Sequence, residues 1–265
     1  MKMANPFTPL LWAVTLLIVM IQIAPLVVVV LVSFANSPVF EVTFGNWSLR
    51  WWERMATARG FWAAMELSAR LAALSTAVAL VLGTAAALAI HRGRFPGAAL
   101  LGTILLSPLM LPGIVLGIAV SQMFRAYGVT DAFTALAISH VVVVMPFVVR
   151  IMLSSLALFD FTMVEAARTL GCSYGSAILR VAVPNLAPGL VTSAVFGFIA
   201  SFDNYPMSMF LVDARTKTLP IQMLEFLEES PNPTIAAVST LLLVLTAMLL
   251  LIIHRASGLQ RAVIR

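Results

Sequence analysis

Charged side chains are scarce in this sequence. Asp, Glu, Lys and Arg together make up 10% of its 265 residues, whereas hydrophobic residues make up 61%. Soluble domains are about 25% charged, so this chain has too few ionised groups to cover a surface that faces water. The mean hydropathy of +1.02 agrees. The scarcity of charge therefore predicts a protein whose solvent is lipid.

Acidic residues are scarcer than basic ones, 11 against 16, which gives a net charge of +5. A basic balance can indicate nucleic-acid binding. Here the basic residues are scattered singly between apolar runs, and no cluster could neutralise a row of phosphates. Cytoplasmic loops of membrane proteins carry the same excess, so we expect no nucleic-acid partner.

Several groups that would support chemistry are also missing. The single cysteine, Cys172, excludes an internal disulfide. The two lysines, Lys2 and Lys217, do not follow a glycine, so there is no P-loop for ATP, and no hydrolase or zinc-protease motif occurs. The three histidines have no local metal-ligand spacing: His91, His140 and His254. We expect no cofactor, no bound metal and no catalytic activity in this chain alone.

Long apolar segments are abundant. About 20 residues are needed to cross a hydrocarbon core of about 30 Å, and spanning segments of this kind must be helical. Six segments qualify: Leu10–Phe34, Leu67–Ile90, Ala98–Phe124, Ala132–Leu158, Leu186–Val212 and Thr234–His254. The first apolar run is too long for a signal peptide, and no cleavage site follows it. The predicted fold class is an all-α, six-span membrane protein.

Both termini lie on one side if there are six spans. With the termini in the cytoplasm, the inner segments hold nine Lys and Arg residues and the outer segments hold six. The short loop around Arg92 and Arg94 and the basic tail strengthen this assignment, because basic residues next to the membrane set orientation. The segment 159–185 is then cytoplasmic, and the loops 35–65 and 213–233 lie outside.

The first outer loop mixes tryptophan with arginine over Asn46–Arg54. Such a mixture suits the headgroup layer. One interpretation is an interfacial helix that anchors the first hairpin. The other is that this helix also forms part of a rim on which a periplasmic partner sits.

A mostly polar stretch, residues 165–184, interrupts the apolar chain. Residues 161–170 can form a short helix with Glu165 and Arg168 one turn apart on one face. Gly171 can end this helix in the left-handed conformation, Ser173 can cap a second short helix, and Pro184 should end that helix. The prediction is a helix–turn–helix along the membrane surface, either a docking element or an ordinary connector.

Proline and glycine mark the third span. Pro108 and Pro112 should bend the helix, and Gly113 and Gly117 form a face where another helix can come close. Tight packing explains this pattern, and so does a kinked helix that rocks between two openings of a pore.

Polar groups inside the predicted spans are candidates for function. Asp203 lies in the outer half of the fifth span, where Pro206 should break the helix; it can meet a cationic solute, guard a gate or pair with an arginine. His140 lies mid-way along the fourth span, as a hydrogen-bonded interhelical residue or a proton relay. Glu66 and Arg70 are spaced to pair with each other at the start of the second span.

The polar stretch resembles the EAA loop of ABC importer permeases with the MetI-like fold. Its spacing is matched by Glu165-Ala166-Ala167, by Gly171 after three intervening residues, and by the ending Val181-Ala182-Val183-Pro184. Val181 and Val183 stand where the family more often has Ile and Leu. The resemblance covers residues 62–255. Features at 47–52, 108–117 and 201–204 resemble the spermidine/putrescine branch, its C-type subunit in particular; permeases for ferric iron, aminoethylphosphonate and thiamine share much of the pattern.

The resemblance implies function and partners. It implies a second homologous permease, two cytoplasmic ATPase subunits and a periplasmic binding protein, in a bacterial inner membrane. Glu165, Ala166, Ala167, Arg168 and Gly171 are then expected to couple the chain to the ATPase, with Glu165 paired to a basic residue on it. The residues expected to line the pathway or form a gate are Asp203, Asn204, Tyr205 and His140.

The expected organisation has three parts: residues 1–61 with the first span and outer loop, 62–255 as the permease domain, and 256–265 as a basic cytoplasmic tail. A self-contained secondary transporter or channel is the rival function. It would need an ion-coupling site and usually more spans or an internal repeat, and the sequence shows neither. An intramembrane enzyme would need paired catalytic groups within the spans.

Overall fold

A computed structural model of the chain describes residues 8–42, 44–93 and 95–256, with side chains described from residue 10 to residue 251. Lys2, Arg94 and the tail beyond residue 256 lie outside the described residues, as do the side chains of His254 and Arg255. The helices, in chain order, are α1 (Thr8–Ser33), α2 (Arg50–Thr57), α3 (Arg59–Arg92), α4 (Ala98–Leu106), α5 (Gly113–Ala126), α6 (Ala132–Ala157), α7 (Thr162–Thr169), α8 (Tyr174–Ala177), α9 (Val183–Asn185), α10 (Ala187–Phe202), α11 (Tyr205–Ser208), α12 (Leu219–Glu229) and α13 (Thr234–Ala256).

Four helices are long and apolar enough to cross a membrane on their own: Leu10–Ser33, Arg59–Arg92, Ala132–Ala157 and Thr234–Leu251. Two bent pairs bring the number to six if each pair is one span. The pair Ala98–Met110 and Gly113–Ala126 is bent by 110°, and the pair Tyr174–Asn185 and Ala187–Phe202 by 71°. The all-α, membrane-spanning fold class is confirmed.

The contacts divide the chain into two compact units. The first consists of the described residues up to Arg59 and from Met223 onward, and the second is Gly60–Gln222. These units, which are defined by contacts, do not coincide with the expected parts 1–61, 62–255 and 256–265. The expected parts describe which residues belong to a homologous domain, and they stay a prediction.

In the first unit, α13 packs against α1 and α2. The chain after α1 folds back on itself, because the Ser48 amide donates to the Phe34 carbonyl and the Trp51 Nε1–H donates to the Ala35 carbonyl, both at 2.8 Å. Trp51 is only 5% exposed. The expected helix is therefore present, with the indole of Trp51 packed inside the unit, and its place in the headgroup layer stays a prediction.

In the second unit, α3 and α6 run parallel. Leu71 and Leu136, near the N-terminal ends of the two helices, share one buried cluster. Ala87 and Leu156, near the C-terminal ends, share another. The N-terminal end of α6 is capped by Asp131, whose carboxylate accepts the Thr134 amide at 2.8 Å. We call the two ends of this unit the Arg92 end and the Asp131 end.

This parallel arrangement shows that the first bent pair crosses the unit. Because α3 finishes at the Arg92 end and α6 begins at the Asp131 end, residues 98–126 must connect the two ends. Gly102 lies beside Ile90 of α3, and Phe124 belongs to the cluster of Leu71 and Leu136. The expected bend is confirmed, and it is sharp: a 3-10 turn, Ser107–Met110, separates α4 from α5.

Helix α10 runs antiparallel to α6 and packs closely along it. Gly189, Ser193, Gly197 and Ser201 recur every four residues on α10 and are all buried. Small residues at this spacing let two helix backbones approach within the membrane. At Gly189 and at Gly197 an added Cβ would lie within 3.0 Å of α6 side chains.

Helix α10 is shorter than predicted. The expected span ran to Val212 with a break at Pro206, but α10 ends at Phe202. The break comes earlier because the Asn204 side chain caps a new helix, α11, by accepting the Met207 amide at 3.2 Å. Pro206 lies in the first turn of α11, where its missing N–H costs no hydrogen bond.

Two smaller expectations are confirmed in this unit. Glu66 and Arg70 form an ion pair one turn apart on α3. The face formed by Gly113 and Gly117 meets α11: an added Cβ would lie 3.0 Å from Pro206 Cβ at Gly113 and 2.8 Å from Phe210 Cδ2 at Gly117.

Candidate coupling segment and membrane cavity

The polar stretch after α6 folds as a helix–turn–helix. Asp160 starts it, because its carboxylate accepts the Thr162 hydroxyl at 2.7 Å and the Thr162 amide at 2.9 Å. These two bonds favour the ionised form and lower the pKa of Asp160 below its ordinary value. Helix α7 ends at Thr169, and Gly171 follows with φ +93°. The predicted left-handed glycine turn is confirmed.

The second helix of the segment continues one residue further than predicted. Ser173 caps it by accepting the Ser176 amide at 3.4 Å, as expected. The helix passes Pro184 and reaches Asn185 through a π-helical turn at Ile178–Ala182. The helix passes Pro184 by one residue only and is followed by the bend of 71° before α10, so the expected end at Pro184 is confirmed to within one residue. A π turn shifts the hydrogen-bond register just before the proline, so the helix continues past a residue that lacks an N–H.

Glu165 is held from two sides within the chain. Its Oε2 accepts Arg168 Nη1 at 2.8 Å, the pair expected on one face of α7. Its Oε1 lies 3.7 Å from Nη2 of Arg92, at the last turn of α3. Arg92 also lies over two aromatic rings, 5.0 Å from the Phe161 centroid and 5.4 Å from the Tyr174 centroid. These distances are within the range of cation–π attraction.

The outer face of α7 is apolar and accessible. Met163 is 44% exposed and Leu170 is 87% exposed, and Ala166 between them is exposed and small. Val164, on the opposite face, is fully buried in the cluster that contains Leu156. The segment is therefore anchored on one side and presents a thin apolar ridge on the other.

A cavity of about 200 Å³ lies in the second unit between two helix breaks and the continuous helix α6. The break between α4 and α5 contributes Pro108 and Gly113, α6 contributes Pro146, and the start of α11 contributes Pro206. Broken helices around a cavity are typical of solute sites in transporters. The wall is apolar, and Asn204 supplies its amide.

The expected pathway residues lie in different places. Asn204 lines the cavity. Asp203 is exposed beside it, at the end of α10, and Tyr205 is half-buried at the start of α11. His140 is 1% exposed and lies behind the α10–α11 break. The structure thus brings Asn204 to the cavity, places Asp203 next to it, and puts His140 in the supporting layer.

Both ring nitrogens of His140 are hydrogen-bonded. Nδ1 lies 2.7 Å from Ser201 Oγ, which is 3.0 Å from Ser75 Oγ, and Nε2 lies 3.0 Å from Ser208 Oγ. Ser208 donates its proton to the Asn204 carbonyl. It must therefore accept from His140, which places the ring proton on Nε2 and leaves Nδ1 to accept from Ser201. This neutral chain links α3, α6, α10 and α11.

Sequence reasoning missed three residues whose contacts hold the coupling segment in place: Arg92 of α3, and Phe161 and Tyr174 of the segment itself. The sequence places Arg92 seventy-three residues before Glu165, counted from the two positions, and no local spacing connects them. The buried serines of the His140 chain were also missed, although the four-residue recurrence of small residues from Gly189 to Ser201 was a readable signal.

Comparison with known proteins gives consistent relatives. Spermidine/putrescine transport system permease protein PotC of Escherichia coli (strain K12) is 28% identical over 227 residues, 86% of each chain. Putrescine transport system permease protein PotI of the same strain is 27% identical over 83% of this chain and 80% of its own. Trehalose transport system permease protein SugB of Mycobacterium tuberculosis (strain CDC 1551 / Oshkosh) is 28% identical over 74% and 73%.

A solved structure supports the same fold. A chain from the crystal structure of a bacterial ABC transporter involved in the import of the acidic polysaccharide alginate aligns with a TM-score of 0.69 and 15% identity, covering 97% of this chain and 99% of its own. The family model described as binding-protein-dependent transport system inner membrane component matches residues 79–265, well over half of the chain. The chain therefore belongs to the inner membrane components of binding-protein-dependent transport systems, the MetI-like permeases of ABC importers.

Proposed function

We propose that this chain pairs with a second, homologous permease to form the pathway for a polyamine such as spermidine or putrescine. A periplasmic binding protein delivers the solute, and two cytoplasmic ATPase subunits supply the energy. The observation that carries the proposal is the α7–Gly171–α8 segment: a surface helix, anchored through Val164, that presents an apolar ridge in a chain without a P-loop of its own.

The coupling role rests on the shape of this segment. Ala166 is exposed and Ala167 half-buried, so α7 is thin enough for a groove on a partner to close around it. Glu165, Arg168 and Gly171 fix its geometry, through an ion pair and a left-handed turn. Movement of the ATPase dimer against α7 would be transmitted to α6 and α10, which the segment joins, and would switch access to the cavity from one side to the other.

The proposal requires the Arg92 end to face the cytoplasm, with both termini on the same side. Leu170 is the reporter for this, since it is 87% exposed. In a Cys172→Ser background, Leu170→Cys should react with a membrane-impermeant thiol reagent only after the cell membrane is opened. Reaction in intact spheroplasts would place the segment outside and overturn the proposal.

Coupling is tested in the assembled complex, reconstituted in liposomes. Glu165→Ala and Gly171→Ala should insert normally but uncouple ATP hydrolysis from uptake. Gly175→Ala is the matched control, because a Cβ there meets nothing within 4 Å and its φ is not positive. Uptake at the parent level in both test variants would reject the coupling role.

The solute is proposed from the relatives and from one carboxylate. PotC and PotI, named for spermidine and putrescine, match over four fifths or more of both chains. Asp203 is exposed beside Asn204 of the cavity, where a carboxylate attracts an ammonium group. Radiolabelled spermidine and putrescine should be taken up by the assembled transporter, and Asp203→Asn should weaken uptake by raising the apparent KM.

The alternative to a polyamine is another small solute, either uncharged or differently charged. The trehalose permease SugB is as similar in identity as PotC, and the cavity wall is mostly apolar with one amide. Competition of spermidine uptake by unlabelled trehalose, aminoethylphosphonate, thiamine and ferric iron decides between them. Transport of one of these without any of spermidine would replace the polyamine proposal and leave the permease architecture unchanged.

A further inference from the structure

We propose that Arg92 is a positioning residue that ties the coupling helix to α3 through Glu165, so that movement of α7 reaches α3 directly. The inference rests on the proposed coupling role of α7 and adds a route for the motion. In the sequence, α7 is joined to α6 and, through α8 and α9, to α10, whereas α3 ends seventy residues before α7 begins.

The contact is built from charge and from aromatic packing. Nη2 of Arg92 lies 3.7 Å from Oε1 of Glu165, and the Arg92 side chain is only 21% exposed, against 47% for Glu165. Its guanidinium lies over Phe161 and Tyr174, the residues that bracket α7 on its two sides. An exposed ion pair alone is weak, but here one guanidinium contacts the beginning of α7, its carboxylate and the beginning of α8.

Neighbouring residues reinforce the same joint. The His91 ring stacks on Phe161 with centroids 5.5 Å apart, and Phe159 meets Phe161 edge-on at 5.0 Å. Arg168, which holds the other oxygen of Glu165, also lies over Tyr174, at 5.9 Å. The last turn of α3 is thus packed against both helices of the segment, and the two arginines converge on one carboxylate.

The joint connects the coupling segment with the cavity. Helix α3 carries Ser75, the first member of the hydrogen-bonded chain that passes through Ser201 and His140 to Ser208. Ser208 lies in α11 with Asn204, which lines the cavity. A displacement of α7 that also moves α3 therefore acts on this hydrogen-bonded chain at Ser75, in addition to the contacts that α6 and α10 make through His140 and Ser201. A carboxylate has about four acceptor positions, so this internal pairing leaves room for an ATPase cation at Glu165.

The test uses a reporter that does not depend on the solute. Leu109 lines the cavity and is 40% exposed. Leu109→Cys in a Cys172→Ser chain, assembled with its partner permease and ATPase, is alkylated by a charged maleimide with and without ATP. If the pathway switches access, ATP should change the alkylation rate by about tenfold in this parent.

Arg92→Ala should reduce that ATP-dependent change to about twofold or less, while ATPase co-purification and ATP hydrolysis persist. Arg92→Lys keeps the charge but loses the planar stacking on the rings, so its ATP-dependent change in alkylation rate should lie between those of Arg92→Ala and the parent. This variant also replaces Arg92→Ala in the test if Arg92→Ala fails to insert. Arg180→Ala is the matched control, since the side chain of this exposed arginine in the same segment has no hydrogen bond, ion pair or ring contact among the described residues.

A double-mutant comparison identifies the partner. If Arg92 acts through Glu165, Arg92→Ala combined with Glu165→Ala should be no worse than Glu165→Ala alone. A full ATP-dependent change in Arg92→Ala, or in Arg92→Lys where Arg92→Ala does not insert, would overturn the proposed link between Arg92 and Glu165. Additive losses in the double variant would overturn it as well. If the parent itself shows no ATP-dependent change, or retains no ATPase, the proposed coupling function fails instead.

Discussion

Gly197 of α10 lies directly against Val144 of α6, so closely that an added Cβ would be 2.7 Å from Val144 Cγ1. Real Cβ atoms do not approach other carbons at this distance. Val144 is fully buried, and Thr76 of α3 closes the other side, 3.4 Å from the same position. The antiparallel helices α6 and α10 are therefore in contact at a glycine, and their packing does not rest on branched side chains alone.

Gly197→Ala should destabilise the protein by about 1–3 kcal/mol, because helices α6 and α10 must separate to admit the methyl group. Gly175→Ala, where the added methyl group meets nothing within 4 Å, is the control. The measurement is reversible unfolding of the detergent-solubilised chain by SDS. Equal stability of the two variants would show that α6 and α10 can admit the methyl group without separating, and would contradict the close contact at Gly197.

The buried hydrogen-bonded chain around His140 gives a second prediction. Ser201→Ala removes the donor to Nδ1, leaves that buried nitrogen unpaired and removes the Ser75–Ser201 bond. The free energy of unfolding should therefore fall by about 1–2 kcal/mol. Ser154→Ala on α6 is the control, since its hydroxyl bonds only to the Arg150 carbonyl of its own helix.

The same variant tests whether the chain supports the cavity. Because His140 and Ser208 connect Ser201 to α11, loss of the link should also raise the apparent KM for the transported solute. If Ser201→Ala is as stable as the parent and its apparent KM is unchanged, the buried hydrogen bonds neither stabilise the fold nor support the cavity.

Sequence reasoning predicted what depends on local spacing. The apolar runs predicted the spans, and Glu165, Arg168, Gly171 and Ser173 predicted the turn of the coupling segment, because a cap, a one-turn ion pair and a left-handed glycine are local features. The break before α11 was placed at Pro206, since a proline is a conspicuous breaker. The actual cause is the Asn204 cap, which precedes it.

Contacts between distant residues were beyond local reasoning. No spacing relates Arg92 to Glu165, or Ser75 to Ser201, which are 126 residues apart. The indole of Trp51 donates to the Ala35 carbonyl, which comes within reach only when the chain folds back. Composition predicts that such a side chain needs a partner but not which partner it finds.

The backbone of Gly171 gives a third prediction. At φ +93° a residue with a Cβ is strained by about 1–2 kcal/mol, whereas asparagine tolerates left-handed conformations better. Gly171→Ala should therefore impair uptake more than Gly171→Asn, with both variants present in the membrane at parent levels. If alanine and asparagine are equally harmful, the requirement at this position is lack of a side chain for docking and not the turn itself.

The start of the coupling helix should respond to acid. Asp160 holds Thr162 through its hydroxyl and its amide, and the pKa of this carboxyl lies below the ordinary 3.8. A carboxyl whose pKa is lowered by folding stabilises the folded state above the unfolded pKa, and this stabilisation is lost as the pH falls through the folded value. The rate of amide exchange at Thr162–Glu165, corrected for its intrinsic pH dependence, should therefore rise as the pH falls below 3.8. Between about pH 5 and 7 it should change little. Asp160→Asn, which keeps an acceptor oxygen but cannot titrate, should remove the acid response, and a response that persists in this variant would assign it to another group.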